Sequence, residues 1–409
     1  MLSAKSGIQE KFRMTNRFFL AAEQNPLMRR KEELLDRGET FLDLSESNPA
    51  HVHFSHIESL LASAVHQADF IAGISGYSPH PQGGISAREA VSRYYAQAGI
   101  PILPEDIFLT ASTSEAYSFL FKLLTSPGEE VLSPSPGYPL VEMLSRMEAA
   151  EAGFYVLKNP IPAANIPYSM DMENLEESLR PMTRAVVFIN PNNPTGNYLS
   201  SVEAHRIGEI LKERKIPAIV DEVFFDYILP EEKASAEEGR KILSMADGFI
   251  LNGFSKMLLL PQIKMGWIAL TGSEAWKKSM REPLSFLLDL YLSVSAPAMA
   301  LAPFLLEHRV AFQMPMQERI QANLEILSGI PVEVFPYRGG WNAILRINKN
   351  PSMEDTEEFS LKLLEQKKVF LMPGYFFDIP DPGAFVVSLI LPPEIFREAW
   401  KRIHLFTNG

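Results

Sequence analysis

Short apolar runs rich in β-branched and aromatic residues alternate with longer stretches of helical spacing through the middle of the chain. Seven of these runs read as strands, at 106–110, 130–133, 153–157, 185–190, 218–221, 248–252 and 266–270. Several are apolar at every position rather than at alternate ones, which is the pattern of strands covered by helices on both faces. Residues 114–124, 201–214 and 232–246 supply helices between them. This alternation predicts βαβ units, and hence an α/β fold around a mostly parallel seven-stranded sheet.

Beyond residue 330 the pattern changes. Strands are predicted at 332–335, 343–347, 369–372 and 384–391, with a charged helix at 355–367 and a closing helix at 393–406. A smaller α+β lobe over 306–409 follows, set against a large lobe over 56–305. The segment 1–55 is expected to pack with the smaller lobe, because 42–49 is a strand and turn without a helical partner of its own. Lys5, Glu10, Lys11, Arg13 and Arg17 interrupt the apolar residues of 1–19, which read as an amphipathic helix and not as a secretory leader. The apolar stretch 283–306 resembles a membrane span in length, yet Asp289, Pro297 and Pro303 within it point to a buried or subunit-facing helix pair. No membrane association is expected.

At 409 residues the chain exceeds what one hydrophobic core serves, which agrees with two lobes. The excess of 50 Asp+Glu over 38 Lys+Arg argues against a surface that neutralises nucleic-acid phosphates. With no cysteine, disulfides, thiolate metal sites and a cysteine nucleophile are excluded, and a cytoplasmic location is expected. His51, His53 and His56 cluster in a predicted loop without a carboxylate framework, so no metal site is assigned to them.

Three segments fall at the carboxyl ends of predicted strands, the edge where open α/β sheets bind ligands. Asn190-Pro191-Asn192-Asn193-Pro194-Thr195-Gly196 is a tight, non-helical loop that can aim amide donors at a ligand oxygen; taken alone it is equally an ordinary turn. Asp221 closes an apolar strand, where a carboxylate needs a cationic partner or strong hydrogen bonds; a helix cap is the plainer reading. Lys256, in Asn252-Gly253-Phe254-Ser255-Lys256, reads either as a solvated loop lysine or as an amine of lowered pKa able to act as a nucleophile.

Together these segments resemble the fold-type I pyridoxal-phosphate (PLP) enzymes of the class I/II aminotransferase group, whose Asn-Pro-x-Asn-Pro-Thr-Gly loop matches Asn190 to Gly196. The resemblance implies that Lys256 holds PLP as a Schiff base and then moves the proton, that Asp221 pairs with the pyridine nitrogen, and that Asn193 binds the ring 3-oxygen. It implies that Tyr138 stacks on the ring and that Ser112, Thr113, Ser255 and Lys264 hold the phosphate. Tyr77 would reach the phosphate of the neighbouring subunit in a homodimer. Before a helix, Ser112 and Thr113 suit an anion, although Ser112 alone reads as a cap.

The sequence departs from this pattern at four places. Phe224 stands where the group usually has tyrosine, Gly253 where serine is common, and Ser47, beside Asn48, where the substrate loop usually has glycine. Ser388 aligns with the usual carboxylate-binding arginine. Either Arg338, beside Gly339 and Gly340, or Arg346 reaches the same space, or the substrate amine carries no α-carboxylate. The leading expectation is a ping-pong aminotransferase passing an amino group from an amino acid or related amine to a 2-oxo acid. A PLP lyase, oxidase or cyclase, or a regulator without turnover on the same scaffold, are the alternatives.

Overall fold

The computed structural model describes residues 25–52, 54–76, 78–347 and 353–407. The expected leading helix, His53 and Tyr77 lie outside the described residues. After a first strand, β1 (Leu42–Asp43), eight strands build the main sheet: β2 (Ile107–Thr110), β3 (Glu130–Ser135), β4 (Glu151–Lys158), β5 (Ser169–Met170), β6 (Thr183–Ile189), β7 (Ala218–Asp221), β8 (Gly248–Gly253) and β9 (Gly266–Thr271). Their order is β2-β9-β8-β7-β6-β3-β4-β5. β3, β4, β6, β7 and β8 run parallel, whereas β9 lies antiparallel between β2 and β8. All seven expected strands are present. The additional strand, β5, is two residues long and pairs antiparallel at the edge, too short to leave a periodic signal.

Side-chain alternation explains why these strands are apolar throughout. Val186, Phe188, Val220 and Ile250 pack into the core on one face, and Ala185, Val187, Ile219 and Phe249 into the core on the other. The stretch 283–306 resolves into the end of one helix, Glu274–Asp289, and a second helix, Ala296–Glu307. No helix among the described residues is long and apolar enough to cross a membrane.

A second sheet follows the long helix Arg309–Ser328. It contains β10 (Glu333–Val334), β11 (Asn342–Arg346), β13 (Met372–Pro373) and β14 (Ala384–Ser388), antiparallel in the order β10-β11-β14-β13, while β12 (Val369–Phe370) pairs parallel with β1. The single strand expected at 369–372 is therefore two, because the chain leaves β1 at Leu371 to join β14. The strand expected at 384–391 ends at Ser388, whose N–H donates to the Leu44 carbonyl at 2.7 Å; the Leu389 N–H donates to Trp341 at 2.7 Å. The helix Pro26–Asp36, capped by Asn25, buries Leu27 and Leu34 against Leu364 and Phe370. These contacts bind residues 25–44 to the second sheet and its helices.

Candidate active site

Parallel register delivers the three chemically promising segments to one edge. Ile189 of β6 pairs with Asp221 of β7, Asp221 with Leu251 of β8, and the Asn190 N–H donates to the Asp221 carbonyl at 2.8 Å. The antiparallel β9 brings a fourth segment there: Gly266 lies opposite both Gly253 and Thr110, just ahead of Ser112. A Cβ on Gly253 would sit 2.9 Å from Gly266 Cα, and one on Gly266 would sit 3.1 Å from the Ser112 carbonyl carbon. Only hydrogen at both positions lets these backbones close on one another.

Ser112 caps the helix Thr113–Leu124, its Oγ accepting the Glu115 N–H at 3.2 Å. In the first turn the N–H groups of Thr113 and Ser114 have no intrahelical acceptor, and the helix dipole favours an anion beside them. Ser255 is half-buried and Lys264 exposed, on the two chain segments that flank Gly253 and Gly266.

Asp221 is buried and held by two donors, the Val223 N–H on Oδ1 at 3.1 Å and the Tyr117 hydroxyl on Oδ2 at 2.9 Å. Burial pushes its pKa up to about 6 against those two hydrogen bonds, and the neighbouring Glu222 adds to the rise. Lys256 lies in the short helix Phe254–Met257, and its Nζ donates to the Ser47 carbonyl at 2.7 Å. Burial lowers its pKa to about 8, with the charge of Glu46 acting the other way. The Tyr227 hydroxyl donates to the Lys256 carbonyl at 2.9 Å, fixing the backbone beneath the amine.

The Asn190 to Gly196 loop is tied down by its own amides. Asn192 Nδ2 donates to the Pro136 carbonyl and to Thr195 Oγ1, and Asn190 Oδ1 accepts the Leu199 N–H. Gly196 has a φ of 70°, and a Cβ there would meet the Gly339 carbonyl at 2.7 Å, so glycine answers both demands. Asn193 Oδ1 accepts from Asn342 Nδ2 at 2.7 Å. Tyr138 follows the Pro136-Gly137 turn, 45% exposed, its pKa raised by partial burial and then by the charge of Asp221.

Ser388 is buried in β14, paired across from Asn342 of β11. Asn48 caps the turn Pro49–His51, accepts the Ala50 N–H, and lies 3.1 Å from His51 Nε2. Arg338 differs from the expectation of a substrate-facing guanidinium. It pairs with Glu232, donates to the Tyr198 hydroxyl at 2.8 Å and lies over that ring, because a carboxylate within reach outcompetes an open cleft. Arg346 is likewise engaged, with Glu333 and Asp381.

Tyr117, Tyr227, Trp341 and Asn342 carry contacts at this edge that sequence reasoning missed. Each is an aromatic or amide within an ordinary helix, turn or strand, with no local signal to single it out. Trp341 is packed edge-on against Phe224 and Tyr227, with ring centroids 5.3 and 5.2 Å away, and its face lies 5.1 Å from Lys256 Nζ.

Among curated proteins, the chain is 26% identical over 400 residues to the glutamate-pyruvate aminotransferase AlaA of Escherichia coli K12, covering 94% of this chain and 95% of that protein. It is 27% identical over 346 residues to the tyrosine aminotransferase of Dictyostelium discoideum, covering 80% of each. Among solved structures, an Escherichia coli aminotransferase superposes with a TM-score of 0.80 at 23% identity, over 97% of this chain and 98% of that one. The alanine aminotransferase of Pyrococcus furiosus gives 0.79 at 22%, over 96% and 99%. The family model for aminotransferase class I and II matches residues 40–403, so nearly the whole chain, with the sheet edge that carries Asp221 and Lys256, belongs to that family of amino-group-transferring enzymes.

Proposed function

We propose that this edge binds PLP and that Lys256 carries the transferred proton in a ping-pong exchange between an amino donor and a 2-oxo acid. The observation that carries the reading is a half-buried amine and a buried carboxylate at the same sheet edge, with pKa values moved toward neutrality, about 8 for Lys256 and about 6 for Asp221. PLP, when bound, supplies a cationic heteroaromatic ring that accepts the electrons released at the substrate α-carbon.

The residues fit that group. The close approach of Gly253 to Gly266, and of Gly266 to Ser112, leaves a backbone cradle at a helix start, suited to a phosphate held by Ser112 and Thr113, with Ser255 and Lys264 beside it. Asp221 faces the ring nitrogen in this reading, and ring cation and carboxylate stabilise each other out of water. Asn193, its Oδ1 engaged by Asn342, keeps Nδ2 to donate to the ring 3-oxygen. Tyr138 covers one ring face. Lys256, with a lowered pKa, has a larger neutral fraction near pH 7 than a free lysine and can take up and release a proton there.

The same reading takes 56–305 as the cofactor lobe and 306–409, with the segment before residue 56, as the second lobe. It sets the enzyme in the cytoplasm as a homodimer, with Tyr77 reaching the partner's phosphate. Exposed Ile71, Ile74, Phe286, Leu290 and Tyr291 support a subunit contact near that segment.

The purified protein should show visible absorbance, and borohydride reduction should place a pyridoxyl group on Lys256. Conversion of the bound cofactor to its amine form by an amino donor, and back by a 2-oxo acid, would distinguish transamination from elimination or oxidation. A colourless protein without the Lys256 adduct would overturn the reading.

A further inference from the structure

Both contacts that the structure gives the Lys256 amine are with electron-rich groups. The Ser47 carbonyl oxygen lies 2.7 Å from Nζ, and the π face of Trp341 lies 5.1 Å from it. Glu46 is the charge that acts on that amine, and the loop holds it in place: Oε1 accepts the Asn48 N–H at 2.8 Å and Oε2 meets His51 Nδ1 at 2.7 Å. Asn342 of β11, bound to Asn193, is uncharged, and Ser388 across from it in β14 is buried.

Three guanidinium groups of residues 306–409 are engaged with other partners. Arg338 pairs with Glu232, Arg346 with Glu333 and Asp381, and Arg319 lies over the Phe54 ring and donates to the Ile390 carbonyl. Apart from the Lys256 amine itself, a carboxylate entering the cleft above it meets the Ser47 carbonyl, the Glu46 carboxylate and the Trp341 face, all of which repel it. A second ammonium meets the same three groups favourably.

We infer that the amino donor is a primary amine bearing a second cationic nitrogen, as in a diamine, and that Glu46 and the Trp341 face recognise that second charge. The inference rests on the proposed role of Lys256. It makes Glu46 a specificity-determining residue of the substrate loop.

The test is a single-turnover reaction of the purified holoenzyme with diaminobutane, aminobutane and L-alanine, followed by cofactor absorbance. Diaminobutane should exceed each of the others by about tenfold in kcat/KM at low salt, and the excess should shrink about threefold in ~0.3 M salt as the attraction is screened. E46Q should cut the ratio of diamine to monoamine about fivefold, while E46D retains most of it. Faster reaction with L-alanine than with both amines, or a ratio indifferent to E46Q, overturns the inference. Should E46Q not fold, a ratio indifferent to salt in the unsubstituted enzyme overturns it equally. A borohydride adduct at Lys256 together with the wrong order of donors would sink this inference alone, whereas absence of the adduct would sink the proposed function itself.

Discussion

The Tyr117 hydroxyl donates to Asp221 Oδ2 across 2.9 Å, although 104 residues separate the two in sequence. Tyr117 comes from the same helix that Ser112 caps, so one element orients the carboxylate and also presents its amino end as an anion site. With this bond and the Val223 N–H, Asp221 uses an acceptor position on each oxygen and keeps a lone pair for a ring nitrogen. Replacing Tyr117 by phenylalanine should weaken PLP binding by about tenfold, the worth of one hydrogen bond to a charged group. Equilibrium titration of the cofactor-free protein with PLP measures this, and unchanged affinity would remove Tyr117 from the site.

Asp221 also makes a prediction about stability. Its folded pKa is raised from 3.8 to about 6, so the folded state holds the proton more tightly and the group opposes folding increasingly as pH rises from 4 through 6. In cofactor-free protein, D221N should therefore be more stable than the unsubstituted chain at pH 7, by about 3 kcal/mol, with the gap closing toward pH 4. Urea melts at several pH values check the sign. With PLP bound the order should reverse, because the amide cannot balance a ring cation.

K256A should lose at least about a thousandfold in turnover, since the group proposed to move the proton would be gone. In the cofactor-free enzyme, loading with PLP should accelerate with pH up to about 8 and level off above it, as the amine loses its proton. Because the Glu46 charge raises the pKa of that amine, E46Q should move the midpoint of this profile to lower pH. Stopped-flow absorbance gives the profile, and a midpoint moving upward would contradict the electrostatics described for the cleft.

Asn342 holds the Asn193 amide in one orientation. N342A should leave the fold intact while weakening PLP binding about fivefold and shifting the cofactor absorbance, because Asn193 is then free to turn its oxygen toward the ring. An unshifted spectrum at unchanged affinity would show that the pair does not report on the cofactor.

G253A tests the cradle. A methyl group placed 2.9 Å from Gly266 Cα forces two backbones apart, so a loss of about 2 kcal/mol in stability is expected, together with a larger loss of PLP affinity than of fold. Parallel melting and PLP titration separate the two effects.

The chain's own pattern determined the βαβ alternation, seven of the eight main-sheet strands, and the loop, carboxylate and lysine at strand ends, because those features are local. A run buried on both faces is apolar at every position, and the polar residues Asn190, Asp221 and Asn252 that close the expected runs announce where the apolar demand stops. What the pattern left open is which distant segment meets each face. Asn342 lies 149 residues from Asn193, and Ser47 lies 209 residues from Lys256. Periodicity tells a side chain which way to point but not what awaits it, so Arg338 looked available until the fold put Glu232 beside it. Only tertiary packing set the charge around the amine, because hydrogen bonds and ion pairs depend on distances of a few ångströms between segments that sequence order does not relate.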